Sequence, residues 1–302
     1  MDANIHSGRV AVLVHGGAGS GPVDEEEARR IQEGCVHAAF VAHQIMLDGG
    51  RAQEAAVVGV ISFENNPSFN AGPKGAYLNE EGRPQLDAGI LVVSSDGLVR
   101  SGGVAALPGT TKNPILVARA VMLEGGNEVL TGTDAERFAR LKGIPSCDPT
   151  PLITPRSRAL YEEWLATRPA NNHTGTVGVA VRDQYGELCI AVSTGGWTGT
   201  RAGRVGDVPF VGAGLYGNRR GIAGATGEGE AIRNVQLCYR AVERLARSTP
   251  TRAAELALED LTQEGGVGGL IIVSQAGEIG YARTTPYMSV AFLENGTIRF
   301  DS

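Results

Sequence analysis

His173-Thr174-Gly175-Thr176-Val177-Gly178-Val179-Ala180-Val181 sets a hydroxyl residue directly after a glycine and at the head of an apolar, β-branched run. Such a run reads as a buried strand that opens at Thr176. A cut between Gly175 and Thr176 would leave a free α-amine on the residue that also carries the hydroxyl. Nucleophile and base would then share one residue. An α-amine ordinarily titrates at about 7.7–8.0, close to neutrality, and a threonine hydroxyl beside an N-terminal amine is an activated nucleophile. Glycine before the cut leaves its carbonyl uncrowded and tolerates strain. The β-methyl of Thr176 narrows χ1 and helps fix the hydroxyl. Taken alone, Gly-Thr-Val-Gly reads more readily as the start of an ordinary strand, so the decision rests on the rest of the chain.

Just upstream, Thr167–His173, with Pro169, Asn171 and Asn172, is polar and short of apolar anchors, which predicts an exposed linker. His173 reads as a solvated residue of that linker. Around it, 302 residues with 42% hydrophobic content suffice for one large core of the size usual for an enzyme domain. A net charge of −6 without a basic stripe argues against nucleic acid or an anionic membrane as partner and favours a small molecule. The four cysteines, at 35, 147, 189 and 238, lack paired short spacing and read as reduced thiols. Met1-Asp2-Ala3-Asn4 has neither a basic start nor an apolar continuation, and no apolar stretch reaches the ~18 residues of a membrane span. These features predict a cytoplasmic protein.

The pattern predicts a strand at Arg9–Val14, helices at Asp24–Leu47 and Ala52–Glu64, and strands at Gln85–Val93 and Leu98–Ala106 joined by the Asp96-Gly97 turn. Helices near Pro114–Leu123, Asp134–Leu141 and Arg156–Ala166 complete the first half. After Thr176 come strands at Leu188–Ser193, Phe210–Leu215 and Ile222–Ala225, then helices at Glu230–Ala246 and Ala253–Gln263. Strands near Gly268–Ser274, Ile279–Arg283 and Met288–Phe292 close the chain. Strands and helix pairs are segregated rather than alternating, which predicts an α+β fold.

Short motifs follow the same order as these elements. His15-Gly16-Gly17-Ala18-Gly19, Phe69-Asn70-Ala71-Gly72 and Leu86-Asp87-Ala88 precede the threonine. Ser193-Thr194-Gly195-Gly196, Gly203-Arg204-Val205-Gly206-Asp207, Gly212-Ala213-Gly214, Thr226-Gly227-Glu228-Gly229-Glu230 and Gly268-Gly269-Leu270-Ile271 follow it. Together with Gly175-Thr176-Val177-Gly178 they resemble, over nearly the whole chain, the plant-type (class 2) L-asparaginase and isoaspartyl (β-aspartyl) peptidase family of N-terminal nucleophile (Ntn) hydrolases. The resemblance implies a four-layer αββα sandwich and a single domain over 1–302. It also implies self-cleavage into an α chain, 1–175, and a β chain, 176–302. The cleaved protomers would pair as a homodimer. The implied activity is release of L-aspartate from L-asparagine and from β-aspartyl dipeptides, without a catalytic cofactor.

Roles follow residue by residue. Thr176 is the implied nucleophile and Gly175–Thr176 the autocleavage site. Thr194, which could merely end a strand, is expected to hydrogen-bond near the Thr176 hydroxyl, with Asn70 in support. Arg204 and Asp207 could be two loop charges paired with each other. Alternatively they clamp the α-carboxylate and α-ammonium of an amino acid, since a guanidinium binds carboxylate bidentately and a carboxylate holds ammonium. Gly229 is assigned to the same substrate pocket. Thr226 and Gly227 could form the cap region of the next helix or an oxyanion hole. Glu228 departs from the family pattern and is expected either near the leaving group or in solvent. Main-chain carbonyls in the stretch containing Phe63, Glu64, Asn66 and Phe69 match the region where the family holds a structural sodium ion.

Two other readings stand beside this one. The glycosylasparaginase or threonine-endopeptidase branch usually has aspartate where Gly175 stands. A nucleotide-binding module could be built on the glycine loops, but Gly212-Ala213-Gly214-Leu215-Tyr216-Gly217 continues into a turn at Asn218-Arg219-Arg220-Gly221, not a helix.

Overall fold

The computed structural model describes residues 9–126, 128–168 and 175–302. Residues 169–173 of the expected linker, His173 among them, and the first residues of the chain lie outside that range. The first half runs β1 (Ala11–Gly19), α1 (Glu25–Leu47), α2 (Ala52–Glu64), α3 (Gly72–Gly75), β2 (Gln85–Val93) and β3 (Val99–Pro108). It continues with α4 (Pro114–Glu124), β4 (Val129–Thr131), α5 (Gly132–Leu141) and α6 (Pro155–Thr167). The second half runs β5 (Thr176–Arg182), β6 (Leu188–Thr194), β7 (Leu215–Asn218), β8 (Gly221–Gly227), α7 (Gly229–Val235) and α8 (Leu237–Arg244). It ends with α9 (Pro250–Gln263), β9 (Gly268–Ser274), β10 (Ile279–Arg283), β11 (Tyr287–Glu294) and β12 (Thr297–Asp301). The fold is α+β.

One sheet has eight strands in the order β12-β11-β1-β5-β6-β2-β3-β4, and the other has four in the order β10-β9-β8-β7. The strand that begins at Thr176 therefore lies between β1 and β6, deep in the larger sheet. Its uninterrupted apolar run has a physical cause, since both faces are covered. Val177, Val179 and Val181 point into a core shared with Ala38, Ala55 and Val60 of α1 and α2. Ala180 points the other way, into a core with Ile190, Ile222 and Ile271. Beyond the small sheet, Ala223 and Ile272 pack on Cys238, Ala241 and Leu258 of α8 and α9. At Gly59 in α2 an added Cβ would come within 3.1 Å of Val179, so the helix sits close on β5.

Most boundaries match the sequence reading; α1 starts one residue later than expected, with Asp24 as its N-cap, the carboxylate accepting from Glu27 N at 2.7 Å. Two expectations fail. Phe210–Leu215 is not a strand; the Phe210 carbonyl accepts from Ala213 N and Gly214 N in a turn with Gly212 at φ 98°, and β7 starts only at Leu215. The helix expected over Glu230–Ala246 breaks at Gln236, which is left-handed (φ 55°), into α7 and α8. The final strand, β12, escaped the pattern because its residues alternate between exposed and half-buried positions. No helix among the described residues is long and apolar enough to cross a membrane.

Candidate active site

Thr176 is 5% exposed and sits opposite Thr194 in the β5–β6 register, while Thr194 sits opposite Asp87 on its other side. The carbonyl of Gly175 receives two hydrogen bonds, from Asn70 Nδ2 at 2.8 Å and from Thr194 Oγ1 at 3.0 Å. Asn70 is oriented for this by Tyr77 N, which donates to its Oδ1 at 2.9 Å, and its Nδ2 also reaches the Gly196 carbonyl at 2.5 Å. Thr194 Oγ1 in turn accepts from Gly196 N at 3.1 Å. In the continuous chain, then, the hydroxyl of Thr194 serves the Gly175 carbonyl. Two donors aimed at one carbonyl oxygen are what a tetrahedral oxyanion requires.

Thr226, fully buried, accepts from Thr176 N at 3.3 Å and from Ala18 N at 3.2 Å. It is not the cap of the following helix; that position belongs to Glu228. Gly227 has φ 143°, and a Cβ there would stand 2.4 Å from the Val267 carbonyl, so the turn beside Thr226 requires glycine. Gly17 closes the other side: a Cβ at Gly17 would lie 3.2 Å from Gly175 Cα and 3.6 Å from Thr176 N.

Arg204, Asp207 and Gly229 come together. A Cβ at Gly229 would meet Asp207 Oδ1 at 2.8 Å and Arg204 Nη2 at 3.0 Å. Arg204 and Asp207 are not each other's ion pair. The guanidinium forks onto Glu230, with Nε to Oε1 at 2.8 Å and Nη2 to Oε2 at 2.7 Å. Burial pushes the Glu230 carboxyl up, but the Arg204 fork outweighs it and holds the group below its usual range. The unused Nη1 faces Gly196, where a Cβ would lie 4.0 Å away. Asp207 is 4% exposed, and its Oδ2 has no hydrogen-bond partner among the described residues. Burial raises its pKa to about 7, with Arg204 pulling it down and Asp87 and Glu230 pushing it up. A buried carboxylate oxygen without a partner is costly, and an ammonium group would relieve it.

Two contributors had no assigned role in the sequence. Asp87 accepts from Ala106 N at 2.7 Å and from Gly206 N at 3.3 Å, which ties the Arg204–Asp207 loop to β2; burial raises its pKa to about 6. Glu230 was visible only as the last residue of a motif. Glu228 turns aside, its Oε2 accepting from Val267 N at 3.3 Å. His15 packs against Gly178 in the neighbouring strand, and burial lowers its pKa to about 3, which leaves the ring neutral beside the site.

The stretch containing Phe63, Glu64, Asn66 and Phe69 turns tightly. Asn66 N donates to Phe63 O at 3.0 Å, and a Cβ at Gly75 would stand 1.7 Å from Phe69 O and 3.4 Å from Asn66 O. The carbonyls of Asn66 and Phe69 pack against Gly75 and accept from Phe69 N at 3.2 Å and Ala71 N at 2.9 Å. The Glu64 carboxyl takes no part, being engaged by Asn113 Nδ2, Ile115 N and Ser193 Oγ. Among the described residues no cluster of three His, Cys, Asp or Glu could hold a metal.

Thr176 opens a central strand, two donors meet on the preceding carbonyl, and Arg204, Asp207 and Gly229 gather in one cluster, an arrangement that fits a threonine-type N-terminal nucleophile hydrolase. The family model described as Asparaginase matches residues 8–300. The isoaspartyl peptidase/L-asparaginase of Homo sapiens is 35% identical over 297 residues, covering 96% of this chain and 94% of its own length. That of Mus musculus is 36% identical over 298 residues, covering 96% and 90%. The plant-type L-asparaginase of Pyrococcus abyssi is 35% identical over 307 residues, covering 95% and 97%. The chain belongs to the asparaginase family.

Proposed function

We propose that this protein is an amidohydrolase that cleaves itself between Gly175 and Thr176 and then releases L-aspartate from L-asparagine and β-aspartyl dipeptides. The observation that carries the reading is the Gly175 carbonyl, gripped by Asn70 and Thr194 one bond from Thr176. In self-cleavage Thr176 Oγ adds to that carbonyl, and the negative charge falls on the oxygen facing Asn70 Nδ2 and Thr194 Oγ1. The C–N bond breaks, the nitrogen takes the hydroxyl proton, and Gly175 is left as an ester on Thr176. Water then hydrolyses the ester, frees the Gly175 carboxylate and restores the hydroxyl.

In turnover the Thr176 amine is the base. Arg204 takes the substrate α-carboxylate through the guanidinium edge that Glu230 leaves open, and Asp207 takes the α-ammonium. Thr226 and Gly227 face the developing oxyanion of the β-carbonyl, and Gly229 leaves room for the clamp. The four-layer αββα sandwich belongs to the same reading, supported by helices on the outer face of each sheet and an apolar core between the sheets. So do the single domain over 1–302, the pairing of two cleaved protomers and the cytoplasmic location. A structural sodium ion would be held by the carbonyls of Asn66 and Phe69 with those of Phe63 and Glu64, and it would stiffen the loop that carries Asn70 without entering the reaction.

The test is hydrolysis of β-Asp-Leu but not α-Asp-Leu, because the α-linked peptide has its α-carboxylate tied up in the bond. Cleavage of α-Asp-Leu at a comparable rate would remove the clamp from the reading.

A further inference from the structure

A cavity on the Gly175 side of the nucleophile lies apart from the Arg204–Asp207 clamp. Its walls include Gly17, Asn70, Tyr77, Gly175 and Tyr287, and among the described residues Arg156 is the only charged one that lines it. Part of its wall borders the reacting atoms, since Gly17 stands against Thr176 N and Asn70 holds the Gly175 carbonyl. Another part of the wall is Arg156, in the first turn of α6. Its Nη1 donates to the Ser68 carbonyl at 3.3 Å, two residues before Asn70, and its Nε lies 3.3 Å from Glu27 Oε1. Neither contact uses Nη2. The Arg156 guanidinium also lies 5.7 Å from the Tyr77 ring centre, within reach of a cation–π contact.

The chemistry at Thr176 decides what stands there. The amine that accepts the hydroxyl proton must return it to the departing nitrogen, so the leaving amine has to lie beside Thr176 N. The Gly17 wall of the cavity is the surface next to that atom. We propose that this cavity is the leaving-group subsite, and that Arg156 binds the free α-carboxylate of the residue released from a β-aspartyl dipeptide. Ammonia leaving from asparagine carries no group for Arg156, whereas a dipeptide carries a carboxylate one carbon beyond the departing nitrogen. The inference rests on the amidohydrolase reading and adds to it a recognition element for the released amino acid.

The experiment uses the purified, self-processed protein with L-asparagine, β-Asp-Leu and the C-terminal amide of β-Asp-Leu. In the wild type kcat/KM for the acid should exceed that for the amide by about tenfold, the usual scale of one charge-assisted hydrogen-bonded contact. In Arg156→Ala the two substrates should become equal, and Arg156→Lys should restore part of the preference. Equal rates for acid and amide in the wild type overturn the subsite without recourse to a variant. So does a variant in which both rates fall in parallel, or an enzyme that hydrolyses asparagine but leaves β-Asp-Leu intact. Absence of asparagine hydrolysis in the wild type would instead count against the amidohydrolase reading, so the two failures are distinguishable.

Discussion

At the scale of single residues, the site depends on which polar atom faces which carbonyl. Asn70 and Thr194 both donate to Gly175 O, so losing either donor should slow self-cleavage while leaving the strands in place. Asn70→Ala is expected to slow it by roughly 10²–10³-fold, the range for loss of one oxyanion donor. Thr176→Ala should remain a single chain. Intact-mass spectra over time read both results, and cleavage of the alanine variant at the same bond would assign the cut to a contaminating protease. Arg204→Lys keeps the charge but loses the planar fork that both Glu230 and a substrate carboxylate use. Its kcat/KM on L-asparagine should fall by an amount equivalent to about 2–5 kcal/mol, and wild-type kinetics would move the carboxylate site elsewhere.

Elements meet at Glu64. This residue ends α2, its carboxyl receives Ile115 N at the start of α4, and Ser193 Oγ of β6 reaches it one residue before Thr194. Burial raises its pKa to about 8, against the opposing pull of those hydrogen bonds. For a carboxyl raised in the folded state the sign is fixed. Below the ordinary carboxylate range both states are protonated and nothing is lost. As pH rises from there towards 8 the unfolded chain ionises first, and stability falls. The slope from this one group is at most about 1.4 kcal/mol per pH unit. Glu64→Gln should flatten the decline of Tm between pH 5 and about 8, as read by thermal melts across that window. An unchanged slope would assign the decline to other buried carboxyls, such as Asp87 and Asp207.

Across the whole molecule, a cut at Gly175 would run through the middle of the larger sheet. In the order β12-β11-β1-β5-β6-β2-β3-β4, β1 would belong to the first fragment yet lie between β11 and β5 of the second, and β2 would pair with β6 across the divide. Self-cleaved protein should therefore elute as one species on size exclusion and separate into 1–175 and 176–302 only in denaturant. Free fragments in native buffer would contradict the interleaving. Sequence by itself determined the elements with strong periodicity, the head of β5 at Thr176, the family, and which residue types could act. Those features are local: a doubly buried strand must be apolar throughout, a helix start shows its cap, and motif order survives without contacts. Only the tertiary structure decided the partners. Glu230, not Asp207, grips Arg204, and the Thr194 hydroxyl faces Gly175. Gln236 breaks a helix whose pattern reads as continuous, and Arg156 reaches the cavity beside Thr176. Each of these depends on distances between segments far apart in the chain, set by sheet order and by glycines that admit close approach, and no pattern along the chain encodes such distances.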